Sequence, residues 1–242
     1  MIKKFLLNLY IWPLFSVVTL VIILLIPFIW LGNRVTLRVP VSRAFRLGIR
    51  IYGLILVRWI PFFAPVRLQD RSGGMPETGI YVANHNSALD PYCYGVLSGE
   101  YAFLTSWPFG IPFYRWVMKK AQYLNAAWDW NTLLEKSVQL LENGCSLIIW
   151  PEGHRSRNGE LGKFKNGAFR LACETGYPIV PVCITGTYKL MPPESRLLTP
   201  SRVRVTVLPP HYPPAGVSGR IAVQELSDRV RETLAKELKK TE

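Results

Sequence analysis

Two short polar clusters hold the side chains able to do chemistry in this chain of 242 residues, and each follows an apolar run directly. The first reads Asn84-His85-Asn86-Ser87-Ala88-Leu89-Asp90. An imidazole titrates near neutral pH and can accept a proton from a hydroxyl. A carboxylate bonded to its other ring nitrogen fixes the tautomer and stabilises the imidazolium that forms. His85 and Asp90 are five residues apart, so on one continuous helix they would point about 140° away from each other. They meet only if His85 lies on a turn and Asp90 sits in the first turn of a helix. Ser87 fits that arrangement, because Ser-x-x-Asp is a capping-box-like start with Ser87 at the N-cap and Asp90 at N3. A bland reading uses the same residues: Ser87 and Asp90 only cap a helix, and His85 is an ordinary loop histidine.

The second cluster reads Trp150-Pro151-Glu152-Gly153-His154-Arg155-Ser156. Gly153 permits a tight turn or a close backbone approach to a ligand. Arg155 offers a planar fork of donors suited to phosphate, and Arg157, Lys163 and Lys165 add positive potential nearby. The bland alternative is a solvated basic loop with Glu152 paired to Arg155. Neither a G-x-S-x-G elbow nor a reactive-cysteine signature is visible. A nucleophile in this chemistry is therefore the acceptor's own hydroxyl, attacking a thioester directly.

Both clusters must be carried by something rigid. Short apolar runs bounded by turn formers lie at 79–84, 146–153, 177–186 and 202–210, and each reads as a strand. Helix-period stretches fall at 131–143, 163–175 and 222–239, with Gly144 and Gly176 where C-terminal caps are expected. Strand alternating with helix predicts an α/β fold, a mostly parallel or mixed sheet flanked by helices. Ligands in such sheets collect at the carboxyl ends of strands, which is where both clusters fall.

Residues 5–31 contain no formal charge. As a helix they would reach about 40 Å, enough for a tilted span of an apolar layer about 30 Å thick. The run exceeds a signal-peptide core and no A-x-A-like site follows it, so a retained anchor is expected. Pro13 and Pro27 leave open a single span or a re-entrant hairpin. Arg34, Arg38, Arg43, Arg46 and Arg50 follow the run, against Lys3 and Lys4 before it. That asymmetry predicts a membrane protein whose catalytic domain lies on the cytoplasmic face, the inner membrane in a bacterium. On a helix over 43–60, Arg43, Arg46, Arg50 and Arg58 fall within a sector of roughly 120°, the pattern of a helix lying at the lipid surface. The expected organisation is an anchor over 1–33, a basic and apolar interfacial helix over 34–65, and a catalytic domain over 66–242.

Lys and Arg number 29 against 16 acidic residues, a net charge of +13. Such an excess calls for an anionic partner. With an apolar N-terminus, no zinc-finger spacing and no basic block of five, membrane lipids are expected and nucleic acid is not. Cys93, Cys145, Cys173 and Cys183 show no CxxC pair and read as reduced thiols.

Taken together, the clusters resemble the 1-acylglycerol-3-phosphate acyltransferase (glycerolipid acyltransferase) family. Asn84, His85, Ser87 and Asp90 match its N-H-x-S-x-x-D block at every fixed position, and 150–156 match F-P-E-G-T-R-S except for Trp150 and His154. Lys163-Phe164-Lys165-Asn166-Gly167 is similar to its F-K-x-G element, and Val180-Pro181-Val182 to its V-P-V block. The resemblance implies His85 as general base and Asp90 as its orienting partner. It implies Asn84, Ser87, Glu152, Gly153, Arg155, Ser156 and Lys165 around the substrate, with Arg155 on a phosphate. It further implies a donor thioester on coenzyme A or acyl carrier protein, a lysophospholipid acceptor, most simply 1-acyl-sn-glycerol-3-phosphate, and no metal or bound cofactor. One departure stands out. The family's G-x-x-F-I-x-R stretch reads Ala121 to Ala127 here without an arginine, although Lys119 and Lys120 stand nearby. Losing that arginine removes charge-assisted contacts of about 1.5–3 kcal/mol each, which leaves open a lyso-lipid with another headgroup. A lipid hydrolase using the same pair, or a non-catalytic lipid-binding protein on the same scaffold, are the competing readings.

Overall fold

The computed structural model describes residues 2–33, 35, 38–60, 65–216 and 218–240. Among the described residues seven strands form one sheet: β1 (Val66–Asp70), β2 (Ile80–Ala83), β3 (Tyr101–Thr105), β4 (Leu124–Asn125), β5 (Ser146–Ile149), β6 (Ile179–Thr185) and β7 (Val203–Val207). Their spatial order is β1-β7-β6-β2-β5-β3-β4, and every neighbouring pair is parallel except β6 with β7. The mixed α/β sheet expected from the alternation is thus present. β2, β5 and most of β6 are buried along their length, as continuous apolar runs covered on both faces must be. The helices are α1 (Ile2–Gly32), α2 (Val41–Leu54), α3 (Asp90–Cys93), α4 (Pro112–Lys120), α5 (Trp130–Glu142), α6 (Gly167–Thr175), α7 (Thr187–Leu190) and α8 (Gly219–Lys239).

The chain leaving β2 runs toward β3, and the chain leaving β5 runs toward β6. Their loops therefore meet over the carboxyl ends of the paired strands β2 and β5, the topological position at which such sheets bind ligands. Element ends differ from expectation for local reasons. β5 stops at Ile149 because Pro151 lies at the start of the following turn and has no N–H for a ladder. α6 begins at Gly167 rather than at 163, because Lys165 N–H is committed to Pro151 C=O at 2.8 Å. Gly176 caps α6 in the left-handed conformation at φ 77°, as its position after the periodic stretch suggested.

α1 runs unbroken through Pro13 and Pro27, so the described chain holds one helix and not a hairpin. It is long and apolar enough to cross a membrane, and its most apolar window has a mean hydropathy of 2.8 with none of it buried inside the protein. Its first half behaves differently. Leu7, Asn8 and Ile11 are buried, and the Asn8 amide brackets Leu198 by accepting from its N–H and donating to its C=O, each at 2.8 Å.

Two arginines of the expected lipid-facing stripe, Arg46 and Arg50, turn inward instead. Arg46 is buried and donates through Nε to Glu100 at 2.7 Å and through Nη1 to the Ala121 carbonyl at 2.8 Å. Arg50 donates to the Leu97 carbonyl at 2.6 Å. Glu100 supplies a half-buried anion that no helical pattern could reveal. Arg43 and Arg58 are exposed, as are Leu47 and Ile51. Arg34 and residues 61–64 of the segment expected to lie at the interface fall outside the described residues. The four thiols are free, and burial pushes Cys145 and Cys183 up to about 12.

Glycines let α2 lie directly on the turn after α3. A Cβ on Gly95 would collide with the backbone nitrogen of Leu54, and one on Gly53 would meet the Tyr92 carbonyl at 3.0 Å. The contact is backbone on backbone, so it cannot relax by a rotamer change. Gly95→Ala is therefore expected to destabilise the protein by about 1–3 kcal/mol, read as a lower denaturant midpoint in detergent solution. An unchanged midpoint would mean that α2 is not docked as described.

Candidate active site

His85 lies two residues beyond the end of β2, and Asp90 opens α3. His85 Nδ1 and Asp90 Oδ2 are 2.8 Å apart. The same carboxylate oxygen accepts the N–H groups of Asn86 and Ser87 at 2.7 and 2.8 Å. One half of the expected capping box is thus formed, the Asp90 carboxylate accepting the Ser87 N–H, while Ser87 Oγ accepts from Leu89 N–H and not from Asp90 N–H. Asp90 reaches back to hold the turn, and the helix begins at Asp90 itself. A carboxylate oxygen that already accepts two backbone N–H groups suits the imidazole tautomer with its proton on Nδ1, which leaves the Nε2 lone pair available. Nε2 has no hydrogen-bond partner among the described residues, and the His85 side chain is 17% exposed while that of Asp90 is fully buried. An imidazole open to the outside and backed by a sealed carboxylate can support proton abstraction.

The second cluster fixes the first through its backbone. Glu152 Oε1 accepts the His85 N–H at 2.9 Å, and the Ser156 N–H donates to the His85 carbonyl at 2.7 Å. Glu152 Oε2 accepts from Gly162 N–H at 2.9 Å. Both carboxylate oxygens are thus used, and Glu152 is only 2% exposed. Burial pushes its carboxyl above the ordinary glutamate value, against the two backbone donors that pull it down. The pairing of Glu152 with Arg155 weighed from sequence is not formed.

Other residues expected around the substrate also turn their polar atoms inward. The Asn84 side chain bridges to β6, donating to the Ile184 carbonyl and accepting from its N–H, each at 2.8 Å. It continues the β2–β6 pairing past the strand end with a side chain in place of a backbone unit. Ser87 Oγ donates to Met191 C=O at 2.7 Å, and Ser156 Oγ to Asn158 Oδ1 at 3.0 Å. All three residues are buried.

Arg155 and Lys165 differ. Arg155 is half-buried, and its guanidinium has no hydrogen bond or ion pair among the described residues. Lys165 is exposed, and its side chain crosses Gly153, where a Cβ would stand 2.6 Å from Nζ. Gly153 has φ +74°, the left-handed region, so its conformation favours glycine. Lys119 and Lys120 end α4 as exposed side chains.

Sequence reasoning missed the wall of the site. Trp150 stacks on His85 with centroids 4.7 Å apart and 25° between planes, and on Phe103 of β3 at 5.6 Å and 14°. The only sign was an aromatic residue directly before Pro151.

Glu152→Gln would set an amide, with one acceptor and two donors, against two backbone N–H groups. One donor then faces a donor, a loss of about 1.5–3 kcal/mol for a charge-assisted bond. The expected outcome is a lower unfolding temperature together with lower catalytic turnover. Arg155→Ala should leave the unfolding temperature within experimental error, since that guanidinium has no hydrogen bond or ion pair among the described residues. Equal thermal losses in both variants would contradict this division of roles.

Residues 70–185 match the Acyltransferase family. Two plant proteins, the chloroplastic 1-acyl-sn-glycerol-3-phosphate acyltransferases BAT2 of Brassica napus and LPAT1 of Arabidopsis thaliana, are each 34% identical over 164 residues, or 64% of this chain. The chain spans less than half the length of these relatives, 46% and 44%. The crystal structure of the 1-acyl-sn-glycerophosphate acyltransferase PlsC of Thermotoga maritima superposes with a TM-score of 0.77 at 27% identity, covering 99% of this chain and 97% of that one. The paired motif blocks lie on a sheet shared with that enzyme, inside residues 70–185, the segment that matches the Acyltransferase family.

Proposed function

We propose that the protein is a membrane-attached O-acyltransferase that moves a fatty acyl group from a thioester to the free hydroxyl of a lysophospholipid, 1-acyl-sn-glycerol-3-phosphate in the first instance. The observation that carries this reading is the His85–Asp90 pair at 2.8 Å, with Nε2 unpartnered among the described residues, on the loop clamped by the segment that bears Arg155.

In this reaction His85 Nε2 takes the proton of the acceptor hydroxyl as its oxygen attacks the thioester carbonyl carbon. The Asp90 carboxylate stabilises the imidazolium. The C–S bond of the tetrahedral intermediate breaks, and the departing thiolate takes the proton back from Nε2. No covalent acyl-enzyme is needed. Arg155 offers a charged fork to the acceptor's phosphate, with Lys165 adding charge across Gly153. Glu152, Asn84, Ser87 and Ser156 serve by holding the loops.

The donor is a coenzyme A or acyl-carrier-protein thioester. The acceptor is a bilayer lipid, and the exposed features of the chain suit that source. α1 carries a long uncovered apolar surface. Trp107, Phe113, Tyr114 and Trp116 are exposed beyond the carboxyl end of β3, the sheet edge that also carries His85. Aromatic side chains of this kind favour the membrane–water boundary. The arginines after α1 favour a cytoplasmic placement of the sheet domain.

The test is purified protein in mixed micelles, labelled acyl-CoA or acyl-carrier-protein thioester, and a panel of lyso-lipids differing in headgroup. Transfer to a phosphate-bearing acceptor is expected, falling by roughly 10²- to 10⁴-fold in His85→Ala. Arg155→Ala should raise KM for phosphate-bearing acceptors by roughly tenfold or more, the scale of a lost charge-assisted bond. Transfer with no donor–acceptor pair, or undiminished transfer in His85→Ala, contradicts the proposal. Release of free fatty acid without acceptor dependence would instead make the protein a hydrolase.

A further inference from the structure

We infer that Trp150 is a positioning residue for the base: its indole is the platform that holds the His85 ring in its reactive orientation. The inference rests on the acyl-transfer reading for its kinetic consequences, but the observations behind it are geometric.

The bond from Nδ1 to Asp90 holds one edge of the imidazole. A single hydrogen bond leaves the ring free to rock about the line joining the two atoms, and such rocking turns the Nε2 lone pair out of its plane. Clamping of the His85 backbone by Glu152 and Ser156 fixes the origin of the side chain but not that motion. The near-parallel contact with Trp150, at 4.7 Å and 25°, opposes it. Offset stacking at this separation is attractive as well as steric. Once His85 is protonated in the reaction, the π face also favours the cation.

The platform is itself immobilised. Trp150 lies 14° from parallel to Phe103, and buried Tyr94 meets it edge-on at 90° and 6.1 Å. Its backbone leads directly from β5 into the Pro151-Glu152-Gly153 turn. One segment thus supplies the stacking ring, through Trp150, and the clamp on the His85 N–H, through Glu152. Trp150 Nε1–H is buried with no hydrogen-bond partner among the described residues, so packing and stacking are the contacts that hold the indole.

The test compares Trp150→Phe, which keeps a π face, with Trp150→Leu, which keeps apolar bulk without one. Both are made in the full chain. Kinetics use acyl-CoA and the best acceptor of the lyso-lipid panel. Trp150→Leu should lose roughly 10- to 100-fold in kcat, the scale of a displaced catalytic group, with both KM values within about twofold of the parent. Trp150→Phe should restore kcat to within roughly threefold, the ring face being the part that matters. Full kcat in a folded Trp150→Leu protein, or a Trp150→Phe variant no better than it, would overturn the inference.

A second measurement needs no turnover and separates this inference from the acyl-transfer reading. The chain has three histidines, so ring-labelled histidine spectra can be assigned with His85→Ala. Ring-current-shifted, narrow His85 signals are expected in the parent and in Trp150→Phe, and unshifted or broadened signals in Trp150→Leu. Identical His85 signals in all three proteins would refute the platform role even if transfer is observed. Shifted signals in a protein that transfers nothing would uphold the stack and sink the reaction.

Discussion

Both backbone polar groups of His85 are held by the loop that follows β5, the N–H by Glu152 and the C=O by Ser156. The remaining geometry of the site follows from that clamp. A histidine on a loop has little to fix it, because loops are the mobile parts of a fold. Here the loop after β2 is fastened to a second loop from the adjacent parallel strand, so two short segments act as one rigid body. Asp90 then needs to control only the ring, and it does so while sealed from solvent. The clamp requires a buried carboxylate, which is tolerable because both of its oxygens accept backbone hydrogens. The bare reading of Glu152 as a substrate contact overlooks that a carboxylate with two strong internal partners has little left to offer a ligand.

The apolar N-terminal part is joined to this assembly and not merely appended to it. Phe15 of α1, Tyr52 of α2 and Tyr92 of α3 form one aromatic cluster, with Tyr52 edge-on to Tyr92 at 5.6 Å. Thr19 of α1 and the Tyr52 hydroxyl share a hydrogen bond at 2.7 Å. Tyr92 is two residues from Asp90. The helix that presents the Asp90 carboxylate is therefore packed against α1 and α2. Arg46 adds a second fastening through Glu100, at the amino-terminal end of β3. A short contact path thus links α1 and α2 to His85 through Tyr92 and Asp90.

How much of this was legible in the sequence depends on the kind of information required. Strand runs at 79–84 and 177–186 were readable because buried parallel strands are nearly uniform in apolar residues, and so were the cap at Gly176 and the long helix near the C-terminus. The short edge strand β4 and the exposed helix α4 carry no comparable pattern and were not anticipated. The pairing of His85 with Asp90 followed from chemistry and spacing. The roles of Asn84, Ser87 and Ser156 did not, because residue type states what a side chain can bond and not the direction in which a turn aims it. The inward turn of Arg46 was hidden for a related reason. Its partner Glu100 is 54 residues away, and helical periodicity cannot distinguish a stripe facing lipid phosphate from one facing a distant carboxylate. Trp150 was visible only as an aromatic residue in a motif position, since stacking depends on the meeting of two loops.

The central claim is that the two loops act as one device on a single imidazole, and a double-mutant cycle tests it most directly. Turnover of acyl transfer would be measured for the parent, Glu152→Gln, Asp90→Asn and the double variant under identical micelle conditions. Two residues that orient the same ring, one through its backbone and one through Nδ1, should be coupled. The account predicts that the double variant loses much less than the product of the two single losses. Losses that multiply as if the sites were independent would show that Glu152 acts elsewhere, and would contradict the clamp.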